Sequence, residues 1–102
     1  SNENLGSLRD NVVQLIMTQR GARVMRPDYG TDVRSAVFQP MDKQLLDTLR
    51  KQITSTIAKY EPRVILKNLT VVPDWDNSRI TIKLHITSKD DLLNTEFVEL
   101  LV

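Results

Sequence analysis

Apolar residues recur along the chain with two different periods, and the change of period divides it. Over "GSLRDNVVQLIMTQRG", Leu8, Val12, Leu15, Ile16 and Gln19 fall at spacings of three and four, whereas Arg9, Asn11 and Gln14 lie off that line. That spacing gathers one face of a helix and predicts a helix over 8–20 with the face in the core. Ser7 is placed to cap its start, with Asp10 three residues on as in a capping box, and Gly21 can take the left-handed conformation that ends it. The same period returns in "DKQLLDTLRKQITSTIAKY", where Leu45, Leu46, Leu49, Ile53, Ile57 and Tyr60 form one stripe and Lys43, Asp47, Arg50, Lys51 and Ser55 lie elsewhere. Asp42 is its expected cap and Pro62 its end. Because the residue before a proline is pushed out of helical dihedrals, Glu61 is expected to be extended already.

Beyond Pro62 the period falls to two. In "RITIKLHIT", Ile80, Ile82, Leu84 and Ile86 alternate with Thr81, Lys83, His85 and Thr87. With "LTVVPDW" before it and "DNS" between, this reads as a hairpin with one buried face. After the polar break "SKDD", the run "TEFVELLV" sets Val98, Leu100 and Val102 on one face and adds a third strand, whose apolar character calls for a cover from this domain or a partner. The segment between the two helices, "GARVMRPDYGTDVRSAVFQP", is the least regular. Val24 and Met25 read as a short extended piece, Pro27 to Gly30 as a turn, and Thr31 or Asp32 as the cap of a short helix carrying Val33, Ala36 and Val37. The expected fold class is α+β: two main helices packed on a small, mostly antiparallel sheet of about three strands, in a single domain over 1–102. Ser1 and Asn2 fit a cloning remnant and stay outside this reasoning.

Composition removes several functions. A chain of 102 residues with 40% hydrophobic and 26% charged residues has the make-up of a globular domain able to bury a core without staples. A net charge of +1, with two tyrosines, two phenylalanines and one tryptophan, offers neither a field for nucleic acid nor many platforms for bases. Cysteine is absent, which excludes disulfides and thiolate metal sites. No apolar run approaches the roughly 20 residues that span a bilayer, so no membrane partner is expected.

Candidate chemistry is sparse. The one histidine, His85, falls on the polar face of a strand with no second ligand signalled. Gly21 and Gly30 are not spaced as a phosphate loop. Asp42, Glu61, Asp74 and Asp76 could supply a carboxyl pair, but any chain with thirteen acids offers such pairs. The reading is therefore of no catalytic residues, no cofactor and no metal. Tyr29 and Trp75 are core fillers or interface anchors, and Trp75, placed on a strand beside the turn, is expected in the core.

Two charged features need explanation. The segment from Arg20 to Arg34 sets Arg20, Arg23, Arg26 and Arg34 against Asp28 and Asp32, either a self-paired surface or a surface for an acidic partner. At the seam of the second helix and the first strand stands Glu61-Pro62-Arg63. The free carbonyls of a helix C-terminus favour Arg63 and disfavour Glu61, so Glu61 needs a cation. Two apart in an extended segment, Glu61 and Arg63 project to one side and could grip each other, an arginine such as Arg23, Arg26 or Arg34, or a second protein.

The order of an amphipathic helix, "RGARVMRPDYGTDVR", "AVFQPMD", a long helix, and "YEPRVIL" leading into alternating strands resembles the small baseplate wedge protein family of contractile-tailed phages and its type VI secretion relatives. The resemblance covers nearly the whole chain, and its most specific part is the E-P-R triplet, Glu61, Pro62 and Arg63. Family members commonly carry a glutamate where this chain has Ala22, which weakens any role for a charge there. The resemblance implies a structural adaptor, not an enzyme. It would sit in a sixfold baseplate, join other wedge proteins through the E-P-R region and provide the platform on which the contractile sheath polymerises. It also implies assembly in the bacterial cytoplasm and residence in a virion tail or injection-machine baseplate. Partner contacts are expected at Glu61, Pro62, Arg63, Arg23, Arg26 and Arg34, with Phe97 and Leu101 on the last strand meeting the sheath subunit. Some family members were labelled lysozymes, so a tail-associated peptidoglycan hydrolase is the alternative, and a regulatory anti-adaptor sharing the fold is the third reading.

Overall fold

In the computed structural model, which describes residues 5–102, the stretch "RITIKLHITS" forms the middle strand of a three-stranded antiparallel sheet. The elements in chain order are α1 (Leu5–Met17), α2 (Val33–Ala36), α3 (Lys43–Tyr60), β1 (Val64–Asp74), β2 (Arg79–Ser88) and β3 (Thr95–Leu101), and the sheet order is β1-β2-β3. The α+β class expected from the sequence is the one observed. Among the described residues, no helix is long and apolar enough to cross a membrane.

The core is built by the periodic residues. Leu8, Val12, Leu15 and Ile16 of α1, Leu49, Ile53 and Ile57 of α3, Ile80, Ile82 and Ile86 of β2, and Val98 of β3 are all buried. Each such aliphatic side chain contributes roughly 1.5 to 3 kcal/mol through burial, so the helices are held mainly by their apolar stripes against one sheet face. Asp42 caps α3 as expected, its Oδ1 accepting from the Leu45 N–H at 2.8 Å. Thr87, on the strand's polar register, is nevertheless buried, and its hydroxyl donates to the Asn94 carbonyl at 3.0 Å.

Four local expectations are corrected. The first helix runs Leu5–Met17 instead of 8–20, so Ser7 lies inside it and not at its cap. Its end comes early because a donor from outside the helix, the Thr31 hydroxyl, takes the Ile16 carbonyl at 2.7 Å, while the Thr18 N–H still makes the helical bond to Gln14 O, which the Thr18 hydroxyl also reaches. Gly21 does adopt φ +85°, but in the following loop, where its N–H donates to Pro27 O at 3.0 Å. Val24 and Met25 form a turn closed by Arg26 N–H donating to Arg23 O, not an extended piece. The first strand starts at Val64, several residues before "LTVVPDW". Trp75 is not core: the pairing of Asp74 with Arg79 leaves it in the turn, 68% exposed, with its indole N–H donating to Met41 O at 3.2 Å. On α2, Asp32 occupies the cap position, yet the Val33 N–H goes to Thr31 Oγ1 at 3.3 Å, while the Asp32 carboxylate accepts from Gln19 and Gln52.

The loop between α1 and α2 is fastened at two places. At Gly30-Thr31, the Thr31 N–H donates to Thr18 O at 2.9 Å, and the Gly30 N–H donates to Thr56 Oγ1 of α3 at 3.3 Å. Gly30 has φ +106°, and a Cβ there would lie 2.2 Å from Thr18 O. At Asp28, Lys59 Nζ donates to Oδ2 at 2.5 Å and the Tyr60 hydroxyl donates to Oδ1. Those two donors, Lys59 foremost, hold the Asp28 carboxyl down from 3.8 to about 2, and the same contacts raise the pKa values of Lys59 and Tyr60.

Two outcomes follow from this fastening. Gly30→Ala should destabilise the fold by roughly 2 to 5 kcal/mol, through a strained dihedral and a clash with backbone. Gly21→Ala, with φ +85° and nothing within 4 Å of its added Cβ, should cost only about 1 to 2 kcal/mol. Urea unfolding of the two variants measures the difference, and equal losses would show that close approach to Thr18 is not what fixes the loop. The Asp28 carboxyl is depressed in the folded state, so its stabilisation is complete above about 3.8 and is lost as pH falls towards about 2. Asp28→Asn should therefore lower stability at neutral pH and flatten the acid dependence in that window, whereas parallel stability curves for the two proteins would contradict the clip.

Candidate partner-binding surface

The Glu61-Pro62-Arg63 corner is a tight turn. The Glu61 N–H donates to Ile57 O at 2.8 Å, completing α3, and Glu61 itself leaves helical dihedrals at φ −131°, ψ 66° as the following proline requires. Its carbonyl then accepts from the Val64 N–H at 3.1 Å, which folds Pro62 and Arg63 into a turn and starts β1 at a buried valine. The Arg63 carbonyl accepts from the Lys89 N–H at 2.9 Å, tying the corner to the end of β2. The two charges thus sit in a turn and not in an extended segment, but they do meet: Arg63 Nη2 lies 3.9 Å from Glu61 Oε1.

That contact is one of charge without a hydrogen bond. The Glu61 side chain is only 16% exposed, and its Oε1 is buried and accepts no hydrogen bond from any described residue. Burial pushes the Glu61 carboxyl up from its ordinary 4.5. A carboxylate oxygen removed from water without a donor is costly, and the helix C-terminus beside it adds repulsion. The corner therefore holds an acceptor that lacks a donor, beside a half-buried guanidinium.

Two of the three candidate arginines reach the same end of α3. The Arg23 guanidinium lies 4.1 Å from the Tyr29 ring centre and that of Arg26 lies 5.7 Å from Tyr60, while the two rings meet edge to face at 5.1 Å. Arg26 is thereby placed over the residue that precedes Glu61. Arg34 is on α2, exposed and outside this stack. The aromatic pair and the Asp28 clip were not visible as a site in the sequence, because Tyr29 and Tyr60 are far apart in the chain and each fits an ordinary core position. Between this loop and α3 runs a cleft of about 310 Å³ lined by Arg20, Asp28, Lys51, Gln52, Ser55 and Lys59 among others.

On the sheet, among the described residues, β3 pairs only with β2 and forms one edge. Val98 is buried, whereas Phe97 and Leu101 on the opposite face are exposed. Phe97 stacks on His85 across the strands, with ring centres 4.3 Å apart and planes inclined by 18°. The bonds exchanged by Ile80 and Val102 fix the hydrogen-bonding phase. By the alternation of antiparallel pairing, the even-numbered residues of β3 bond to β2, while Phe97, Glu99 and Leu101 turn their N–H and C=O groups to the open edge. The other edge, β1, carries Pro73 and a register shift between Leu66 and Asn68, both of which blunt an edge. Among the described residues, no group of three or more acidic or histidine side chains could hold a metal ion.

Comparison with known proteins gives these features a family. Residues 2–95 match the family described as baseplate wedge protein gp25. Baseplate wedge protein gp25 of Enterobacteria phage T4 is 26% identical over 96 residues, covering 94% of this chain and 73% of that protein. Baseplate protein W of Escherichia phage P2 is 31% identical over 81 residues, covering 79% of this chain and 70% of its own. A chain of the type VI secretion system baseplate complex superposes with a TM-score of 0.79 at 19% identity, covering 96% of this chain and 91% of that one. A Geobacter sulfurreducens chain with a tail-lysozyme label superposes with a TM-score of 0.71 at 23% identity, covering 95% and 86%. At such identities the two structural likenesses show the fold alone. With nearly its whole length matched, the chain belongs to the baseplate wedge protein gp25 family.

Proposed function

We propose that this chain is a structural adaptor of a contractile tail or injection-machine baseplate, with no catalytic role. It joins neighbouring wedge proteins through the Glu61-Pro62-Arg63 corner, flanked by Arg23 and Arg26, in a sixfold assembly. It offers β3 as the strand from which a sheath subunit continues. The observation that carries the reading is the buried Glu61 oxygen that accepts no hydrogen bond from the described residues. Such a group is costly in the free chain and gains a donor when a partner covers the corner. The open amides of Phe97, Glu99 and Leu101, beside exposed Phe97 and Leu101 side chains, support strand addition at the other surface.

A hydrolase reading has one feature in its favour, since Glu61 is a carboxyl with a raised pKa, as a general acid requires. Its environment opposes that role. The contact it makes is with a guanidinium, not a second carboxyl, and its Oε1 is shielded from solvent and hence from a glycosidic oxygen.

One paired experiment separates the two surfaces. Arg63→Ala should weaken wedge assembly by about 2 to 5 kcal/mol while costing the free domain under about 1 kcal/mol, because the side chain is partly exposed before assembly and covered afterwards. Glu99→Pro removes a donor that faces the open edge and leaves the β2 ladder intact, so the variant should enter the baseplate yet fail to start a sheath. Electron micrographs would then show tubes on baseplates without sheaths. If assembly of Arg63→Ala falls only in proportion to its folded fraction, the corner is an internal clamp. Normal sheaths on baseplates containing Glu99→Pro would remove β3 from the docking surface.

A further inference from the structure

Val24 and Met25 stand side by side at the tip of the loop between α1 and α2, 93% and 88% exposed. Turn chemistry asks for neither, since a tip of this kind is satisfied by polar residues. The loop beneath them is closed at its neck by Gly21 N–H donating to Pro27 O at 3.0 Å and at its tip by Arg26 N–H donating to Arg23 O at 3.3 Å. It is pinned to the body by Asp28 on Lys59 and Tyr60, and by Gly30 and Thr31 on α3 and α1. Arg23 and Arg26, which bracket the apolar pair, are themselves laid against Tyr29 and Tyr60. Two fully presented apolar side chains on a tethered loop are organised before binding, which lowers the entropy lost when they are buried.

The charge around the tip selects the partner. Asp28 is engaged by Lys59 and Tyr60, and Asp32 by Gln19, Gln52 and Arg20, so the acids of this segment are neutralised within the chain. Arg23 and Arg26 leave the rim of the tip basic. Through Arg26 on Tyr60, this rim is continuous with the Glu61 corner. We infer that Val24 and Met25 form an anchor that inserts into an apolar pocket with an acidic rim on a neighbouring baseplate protein. The inference rests on the adaptor reading and adds to it a second, apolar contact that the charged corner does not supply. A lipid surface is the less favoured host, because two side chains give a small apolar insertion and the chain's net charge of +1 gives little attraction to anionic headgroups.

The test places a photoreactive benzoylphenylalanine at position 25 of the full chain, reconstitutes it with the purified wedge proteins of its own baseplate, and maps the cross-link by mass spectrometry. The expected product joins position 25 to one wedge protein within a peptide that mixes aliphatic residues with Asp or Glu. The double variant Val24→Ser/Met25→Ser should keep its melting temperature and bind that protein at least roughly tenfold more weakly, as expected for truncated anchors. Three results overturn the inference: unchanged affinity in the double variant, cross-links confined to a second copy of this chain, or variant-sensitive binding to phosphatidylcholine–phosphatidylglycerol vesicles with wedge assembly intact. Arg63→Ala, run in parallel, keeps the two claims apart. Assembly lost on Arg63→Ala but not on the double variant sinks the anchor alone, and the opposite pattern sinks the corner alone.

Discussion

The rest of the structure depends on the contact of Gly30 and Thr31 with the ends of two helices. Thr31 is fully buried, donating its hydroxyl to Ile16 O and accepting from Val33 N–H, while its backbone pairs with Thr18 and Arg20. One residue thus ends α1, starts α2 and closes the loop between them. Gly30 makes this possible because only a residue without a Cβ can come so near Thr18 O, and its N–H reaches across to Thr56 on α3. With that point fixed, the loop's placement over the last turn of α3 follows. Asp28 meets Lys59 and Tyr60, the two tyrosines meet each other, Arg26 lies over Tyr60, the last residue of α3, and Arg23 lies over Tyr29 beside it.

That corner joins rigidity to an unsatisfied group. Pro62 stops α3, the turn is closed by Val64 on Glu61, and Lys89 ties it to the sheet, so the backbone has little room to relax. Within this frame Glu61 places a carboxyl oxygen out of water, where the helix terminus repels it and Arg63 approaches without donating to that oxygen. Burial of this kind lowers the stability of the free chain as the group ionises. Across the sheet a similar asymmetry holds in the backbone. The β1 edge is interrupted by Pro73 and the shift near Lys67, and the β3 edge is uninterrupted over its length.

Features carried by local periodicity were legible in the sequence, and features carried by distant partners were not. The α3 stripe with its Asp42 cap and the alternation of β2 lie within one window each; the first stands as read, and the second holds from Ile80 to Ile86 and fails at buried Thr87. The end of α1 could not be read, since the group that takes the Ile16 carbonyl comes from Thr31, beyond an irregular loop. Trp75 was misplaced because an apolar run signals a strand but not where the strand stops, and its stop is set by the pairing of Asp74 with Arg79. Val24 and Met25 misled for the same reason, as apolar residues with no interior to enter. The charges of Glu61 and Arg63 were visible as a misfit with the helix end, but the turn and the missing hydrogen bond depend on three-dimensional packing. The aromatic stack under Arg23 and Arg26 left no trace, because its members are scattered between Arg23 and Tyr60 in the chain.

The central claim, that this fold is an adaptor whose free strand edge is used by the next protein, is tested most directly by residue-resolved hydrogen exchange. In the free chain the amides of Phe97, Glu99 and Leu101 should exchange quickly, while those of Val98 and Leu100, bonded to β2, should exchange slowly. In a sheathed baseplate the account predicts that the first set becomes as protected as the second. Persistently fast exchange at Phe97, Glu99 and Leu101 in that assembly would contradict it.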